Sequence, residues 1–230
     1  MNTSDDMPRL LAISDIHGHA DGLLRLLAAA DYDAEQDRLV LLGDYINADP
    51  STWGTLELVQ QLTEGGATAL LGNLEVNLLQ RVNGDADGFL PVDRLSWLRE
   101  LPYYTELDDW LFVHAGIRPG VPLHQQTAED MTGIREAFWS AVPDVERTIV
   151  FGHTPTFKLG AEPGAVWQAA GLLGIDTGAK HGHRLTLLDI SGGITYSCST
   201  SSANLYEDLR RESIRLQVRY EGHDAPKANL

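Results

Sequence analysis

The stretch Leu39-Val40-Leu41-Leu42-Gly43-Asp44 sets four aliphatic residues in a row before a glycine and a carboxylate. A strand with one wet face would alternate, so this run fits a strand buried on both faces whose carboxyl end delivers an acid. The pattern recurs. Leu10-Leu11-Ala12-Ile13-Ser14 runs into Asp15-Ile16-His17-Gly18, and Ala67-Thr68-Ala69-Leu70-Leu71 into Gly72-Asn73. Trp110-Leu111-Phe112-Val113 runs into His114-Ala115-Gly116, and Thr148-Ile149-Val150-Phe151 into Gly152-His153. The carboxyl ends of strands in an open α/β sheet converge on one crevice. Asp15, His17, Asp44, Asn73, His114 and His153 are therefore expected to meet, although much of the chain separates them.

With 230 residues the chain can bury one large core. A single domain is expected over 9–200, with a flexible N-terminus at 1–8 and a C-terminal helix or tail at 201–230. The formal net charge of −16 leaves no basic track for nucleic acid or anionic membrane, which argues against a nuclease. A substrate phosphate would have to be neutralised locally, by the site itself. Cys198 stands alone, which excludes a disulfide framework and a thiolate metal cluster. No apolar run reaches membrane-span length and Met1–Met7 has no signal-peptide core, so a cytoplasmic location is expected.

In chain order, leucines 23, 24, 26 and 27 make Ala20–Ala30 an amphipathic helix. Asp49-Pro50-Ser51-Thr52 is a turn and cap before a helix over Trp53–Glu64, which Gly65-Gly66 closes. A helix follows Asn73 and stops near Asn83-Gly84. The loop Gly84-Asp85-Ala86-Asp87-Gly88 lacks the ligand spacing and closing glutamate of a calcium loop and reads as a solvated turn. Further expectations are a helix over Val92–Leu101, a strand over Tyr103–Glu106, a helix over Glu129–Trp139 and a surface segment over Lys158–Gly174. Gly174–Gly178 and Arg184–Ile190 read as paired strands, with Ile194–Cys198 closing a hairpin over Ser191-Gly192-Gly193. Strands that alternate with helices early and follow one another late imply a mixed sheet sandwich with helices outside.

Two carboxylates, three histidines and an asparagine form an oxygen and nitrogen ligand set that suits manganese, iron or zinc. A carboxylate such as Asp44 can bridge two cations in the clamp used for phosphoryl hydrolysis. The ordered motifs Asp15-Ile16-His17-Gly18, Gly43-Asp44, Gly72-Asn73 with Glu75, His114-Ala115-Gly116 and Gly152-His153-Thr154 resemble those of the calcineurin-like metallophosphoesterases. The branch they are most similar to holds serine/threonine protein phosphatases and bacterial diadenosine tetraphosphatases. The likeness extends over about Arg9–Ile190 and includes Trp97–Pro102, Ile134–Phe138 and Ile175–Ala179. The resemblance implies a four-layer α/β/β/α metallophosphoesterase sandwich and two divalent metal ions, manganese first, with iron or zinc as alternatives. It implies Asp15, His17 and Asp44 as ligands of the first ion and Asp44, Asn73, His114 and His153 as ligands of the second. Arg135 would grip the substrate phosphate, and a hydroxide bridging the metals would attack phosphorus in line. The implied partner is a phosphorylated small molecule, a nucleotide or a phosphoprotein.

The chain departs from the family at one corner. The family continues Gly-Asp to an Asp-Arg-Gly, where this chain has Asn47-Ala48-Asp49, and reads Gly-Asn-His-Glu where this chain has Gly72-Asn73-Leu74-Glu75. The leaving-group acid, its orienting aspartate and a phosphate-clamping arginine are thus replaced together by Leu74, Asn47 and Ala48. Three readings follow: a hydrolase for leaving groups that need no proton, such as phosphoanhydrides or aryl phosphates; a hydrolase with a substitute acid, for which His181 and His19 are candidates; or a non-catalytic relative that binds a phosphorylated partner.

Overall fold

The computed structural model describes residues 8–82, 90–141 and 145–218. The expectations for the segment before Pro8, for the 84–88 loop and for the chain beyond 218 lie outside these residues. In chain order the elements are β1 (Leu10–Ile13), α1 (Ala20–Ala29), β2 (Arg38–Leu41), α2 (Thr55–Glu64), β3 (Thr68–Ala69), α3 (Asn73–Val82) and α4 (Val92–Glu100). Then follow β4 (Tyr104–Leu107), β5 (Trp110–Val113), α5 (Ala128–Gly133), α6 (Glu136–Trp139) and β6 (Thr148–Phe151). The last are β7 (Trp167–Ala169), β8 (Leu172–Gly174), β9 (Arg184–Asp189), β10 (Ile194–Ser199) and β11 (Arg210–Ser213).

The apolar runs explain the layers. Successive side chains of a strand face opposite ways, so a run with no polar member must be covered on both sides. Leu11, Ile13, Leu39 and Leu41 pack with Leu23 and Leu26 of α1 and Leu56 and Val59 of α2. Their neighbours Leu10, Ala12, Val40 and Leu42 face the other way and meet Phe112, Val150 and Leu173 of a second sheet. On that sheet's outer side, Leu111, Val113, Ile149 and Phe151 pack with Met131 of α5 and Phe138 of α6. Three cores separate four layers, α/β/β/α, which is the metallophosphoesterase sandwich. One sheet has the order β11-β10-β9-β1-β2-β3 and the other β4-β5-β6-β8-β7. The strands β1, β2 and β3 are mutually parallel, as are β5, β6 and β8, so each sheet sends several carboxyl ends to one edge of the sandwich. Among the described residues no helix is long and apolar enough to cross a membrane.

Four segments differ from expectation. The helix expected over Glu129–Trp139 is two helices, because Ile134 is extended (φ −60°, ψ 146°) and Arg135 begins α6 as its cap residue (φ −130°, ψ −119°). That break takes Arg135 out of a helical stack and leaves its side chain free to face a cleft. Lys158–Gly174 is not simply surface: it carries β7 and the fully buried β8, whose Leu172 and Leu173 belong to the cores. Gly174–Gly178 does not pair with Arg184–Ile190. Instead β8 bonds to β6 and β7 while β9 bonds to β1 and β10, so 175–178 crosses from one sheet to the other. Finally, the segment expected as a C-terminal helix or tail over 201–230 contributes a strand where described. Its Arg210–Ser213 pairs antiparallel with β10 and covers that strand's open edge with polar side chains, which leaves Leu205 and Leu209 exposed.

Candidate metal centre

Each candidate ligand follows a buried strand directly. Asp15 and His17 follow β1, Asp44 follows β2, Asn73 opens α3 after β3, His114 follows β5 and His153 follows β6. The first two turns are laced together by the backbone: Asp15 N–H donates to Gly43 O (3.1 Å) and His17 N–H to Asp44 O (3.0 Å). His153 N–H donates to Asp15 Oδ2 (2.9 Å), which ties the two sheets at the site. Among the described residues seven non-glycine positions have a positive φ, and four of them are Asp15, His17, Asp44 and His153. Left-handed backbone turns each side chain back across its strand end, a conformation that Asp and His tolerate better than most residues.

The geometry yields two constellations that share Asp44. Ligand-type atoms of Asp15, His17 and Asp44 lie within 4.8 Å of one another, as do those of Asp44, His114 and His153. His17 Nε2 is 3.6 Å from Asp15 Oδ1, and His114 Nε2 is 3.5 Å from Asp44 Oδ1 and 3.2 Å from Asn73 Oδ1. All six of the expected ligands are therefore brought together. Asp15, His17, Asp44 and His114 are at most 5% exposed, a depth at which carboxylates and imidazoles need partners.

Several observations show that the donor set fits divalent cations. His17 Nδ1 faces Ile46 O (3.2 Å) and His114 Nδ1 faces Leu42 O (2.8 Å), so in the neutral ring Nδ1 carries the hydrogen and Nε2 presents a lone pair to the site. His153 Nε2 is buried with no hydrogen-bond partner. A Cβ at Gly72 would run into the backbone N and side-chain Oδ1 of Asp44, so only glycine lets that wall close on the carboxylate. The electrostatics agree. Burial, reinforced by Asp44, pushes the Glu75 carboxyl up to about 7, and burial with the nearby Asp15 raises Asp176 well above the usual range. Burial opposes the charge on His17, yet the Asp15 contact prevails and lifts it to about 9, while burial and His114 drive His153 down to about 3. Four buried carboxyl groups with so little cationic relief are what bound cations would neutralise.

Glu75 and Asp176 were not among the expected site residues. Glu75 accepts N–H bonds from Asp44 (2.8 Å), Tyr45 (2.9 Å) and Gly72 (3.0 Å), and so sets the turn that presents Asp44. Asp176 lines the cleft after β8, and the grammar that found the others would have found it: Leu172-Leu173-Gly174-Ile175 runs into Asp176. The cleft over the centre is also lined by Arg135, Lys158, Lys180 and His181. His19 is not among the lining residues; its Nδ1 meets the Tyr206 hydroxyl at 2.8 Å.

The altered corner is filled in its own way. Leu74 packs against the helix-side core and gives the centre only its N–H, which donates to Asp44 Oδ1 (2.9 Å). Asn47 donates from Nδ2 to His17 O (2.8 Å), bracing the first ligand turn, and its Oδ1 is buried without a partner. A small groove here is lined by Asn47, Ala48, Leu74, Asn77 and Arg81.

Comparison with known proteins places these features in a family. Residues 8–173 match the family model described as calcineurin-like phosphoesterase. The symmetrical bis(5′-nucleosyl)-tetraphosphatase of Dechloromonas aromatica is 36% identical over 121 residues, covering 47% of this chain and 44% of that protein. The protein of the same name from Ralstonia nicotianae is 34% identical over 181 residues, covering 72% of this chain and 58% of its own length. The chain thus spans about half the length of the curated relatives it matches. Among solved structures, one described as a candidate diadenosine tetraphosphatase superposes with a TM-score of 0.72 at 24% identity, over 86% of this chain and 96% of that one. A cold-active protein-tyrosine phosphatase of a psychrophilic Shewanella gives 0.58 at 19% identity, over 91% and 81%. At these identities the two structures speak for the fold alone.

Proposed function

The chain belongs to the calcineurin-like phosphoesterase family, which uses divalent metals, and on that premise we propose that it hydrolyses a phosphoric ester or anhydride whose leaving group departs without a proton. The observation that carries this reading is the pair of constellations that share Asp44 and open on one cleft with Arg135. Asp15, His17 and Asp44 would hold one cation, and Asp44, Asn73, His114 and His153 the other, with manganese the first expectation and iron or zinc the alternatives. Two cations bound there supply charge that polarises a phosphoryl oxygen and lowers the pKa of water.

The chain's own groups supply the rest. Glu75, through the Asp44 N–H, and the Leu74 N–H fix Asp44 at the point that the two constellations share, where it would serve both cations. Arg135, set in the break between α5 and α6, would take the non-bridging phosphoryl oxygens with its planar fork. No proton donor stands at the altered corner, since Leu74 is hydrocarbon and the Asn47 amide is committed to His17 O. His181 lines the cleft, but burial and the nearby Lys158 lower its pKa, so at neutral pH it is a poor acid. General acid catalysis is worth roughly 10²- to 10⁴-fold, which an alkyl phosphate needs and a phosphoanhydride or aryl phosphate does not. Among good leaving groups, the name carried by the curated relatives favours a nucleotide anhydride.

The test is manganese-dependent turnover of an aryl phosphate, a phosphoserine peptide and diadenosine tetraphosphate side by side, with Asp44→Asn as the blank. Turnover of the aryl ester or the anhydride alone, lost in the blank, is the expected result. Comparable turnover of the phosphoserine peptide would overturn the view that no acid is present. Metal bound without turnover of any of the three would favour a binding protein for phosphorylated partners.

A further inference from the structure

The chain has three lysines, Lys158, Lys180 and Lys227, and two of them line the cleft over the candidate metal centre. They arrive on separate connections, Lys158 on the short turn Thr156–Leu159 beyond β6 and Lys180 on the turn Ala179–His181 beyond β8. Both side chains are exposed. Among the described residues neither pairs with a carboxylate, whereas Arg9, Arg118 and Arg184 each do. In a chain with 33 acidic against 17 basic residues, a carboxylate partner for a merely structural lysine is easily found.

Arg135 lines the same cleft, and one guanidinium with two divalent cations is enough charge for a single phosphoryl group. Two further ammonium groups call for a second anion. Lysine is the suitable residue for it, because a point charge on a flexible arm can follow oxygens along a chain, whereas arginine's fork is made for one planar group. We propose that Lys158 and Lys180 form a second anion subsite that holds the phosphate next to the reacting one, so that the substrate is a phosphoanhydride chain and not a simple monoester. This rests on the hydrolase reading above and narrows its substrate class. In the reaction the oxygen of water forms the new P–O bond and the bridging P–O bond breaks. The departing phosphate keeps that electron pair, and the proton lost by water passes to solvent.

The test uses the full chain with manganese. It compares kcat/KM for diadenosine tetraphosphate, inorganic tripolyphosphate and p-nitrophenyl phosphate in the wild type, Lys158→Gln, Lys180→Gln and Lys180→Arg, with inhibition by tripolyphosphate and by orthophosphate. Each glutamine variant should lower the ratio of tetraphosphate to aryl-phosphate kcat/KM about tenfold, mainly through KM, and weaken tripolyphosphate relative to orthophosphate by a similar factor. Lys180→Arg should keep most of both. Ratios that stay at the wild-type value, or that fall equally in the arginine variant, would overturn the subsite. Faster turnover of tetraphosphate than tripolyphosphate assigns the chain to a nucleotide, and the reverse to an inorganic polyphosphate; either sustains the subsite. If the wild type hydrolyses nothing, the hydrolase reading fails on its own. Calorimetric titration with tripolyphosphate then decides the subsite, which stands if the glutamine variants bind about tenfold more weakly and falls if they bind equally.

Discussion

The floor of the cleft and its altered corner lie side by side and are built on opposite plans. On the floor, Asp15, His17, Asp44 and His114 are buried, hydrogen-bonded at the backbone or the far ring nitrogen, and locked by neighbours that include Glu75. At the corner, Leu74 and Ala48 offer no polar side chain, and Asn47 turns its one engaged group back toward the floor. On the proposed reading, the corner lacks the family's leaving-group acid, its orienter and a phosphate clamp, while the floor keeps the residues that would hold the cations. The comparison teaches that the binding and the protonating halves of such a site are mechanically separable. The corner can change without disturbing the floor, provided that some side chain still braces the His17 turn.

The largest expected effect strikes the floor. Asp44→Asn keeps the shape but removes the charge shared by both constellations, and should lower turnover by roughly 10³-fold or more, about 4 kcal/mol of transition-state stabilisation; steady-state kinetics with metal titration checks it. Next, the corner can be rebuilt. Leu74→His with Asn47→Asp should raise phosphoserine turnover by roughly 10²-fold, whereas Leu74→His alone should gain less than about tenfold, because an amide cannot stabilise an imidazolium as a carboxylate does. A full gain from the single change would break the claim that the corner acts as a unit.

A smaller effect should appear with pH. Without metal, His17 is held protonated up to about 9 against an ordinary value of 6.5. Its contribution to the stability of the metal-free protein is therefore complete below about 6.5 and lost as pH rises through about 9, on the order of 3 kcal/mol in all. A cation must displace that proton, so metal affinity should climb by up to about tenfold per pH unit and level off near 9. Calorimetry and thermal unfolding with and without manganese read both trends, and the gap in Tm should widen across this range. The smallest effect is expected at His19. Its Nδ1 is engaged by Tyr206, so His19→Asn should change turnover of any substrate by no more than about twofold, and a large loss confined to alkyl phosphates would identify His19 as the missing acid.

Much of the fold was legible because the apolar runs announce themselves. β1, β2, β5 and β6 each lie where a largely apolar stretch predicts them, and the six strand-end residues expected to meet do so. What escaped notice depends on contacts remote in sequence. Nothing near Lys158 or Lys180 says that two turns on different connections share one cleft. The engagement of His19 spans 187 positions. Arg135 is expected at the phosphate from its motif, but the break at Ile134 that sets it at the start of a second helix is not visible in the sequence. β11 carries no apolar alternation of its own and is held by the free edge of β10. Asp176 is the exception: a strand over Gly174–Gly178 hides it, whereas β8 begins two residues earlier, at Leu172, and leaves Asp176 beyond its carboxyl end.

The left-handed backbone at Asp15, His17, Asp44 and His153 bears on how such a centre can arise at all. Glycine would be more comfortable at each of these positions, by roughly 1 kcal/mol or more, so a search for thermostable variants would tend to drift toward glycine there and erase the donors one at a time. The drift has few other destinations. After glycine, the residues that accept this conformation most readily are asparagine, aspartate and histidine, which also carry the oxygen and nitrogen donors that hard and borderline cations prefer. A tight strand-end turn therefore needs little sequence exploration to become a chelator, since the same short alphabet satisfies the bend and the ion.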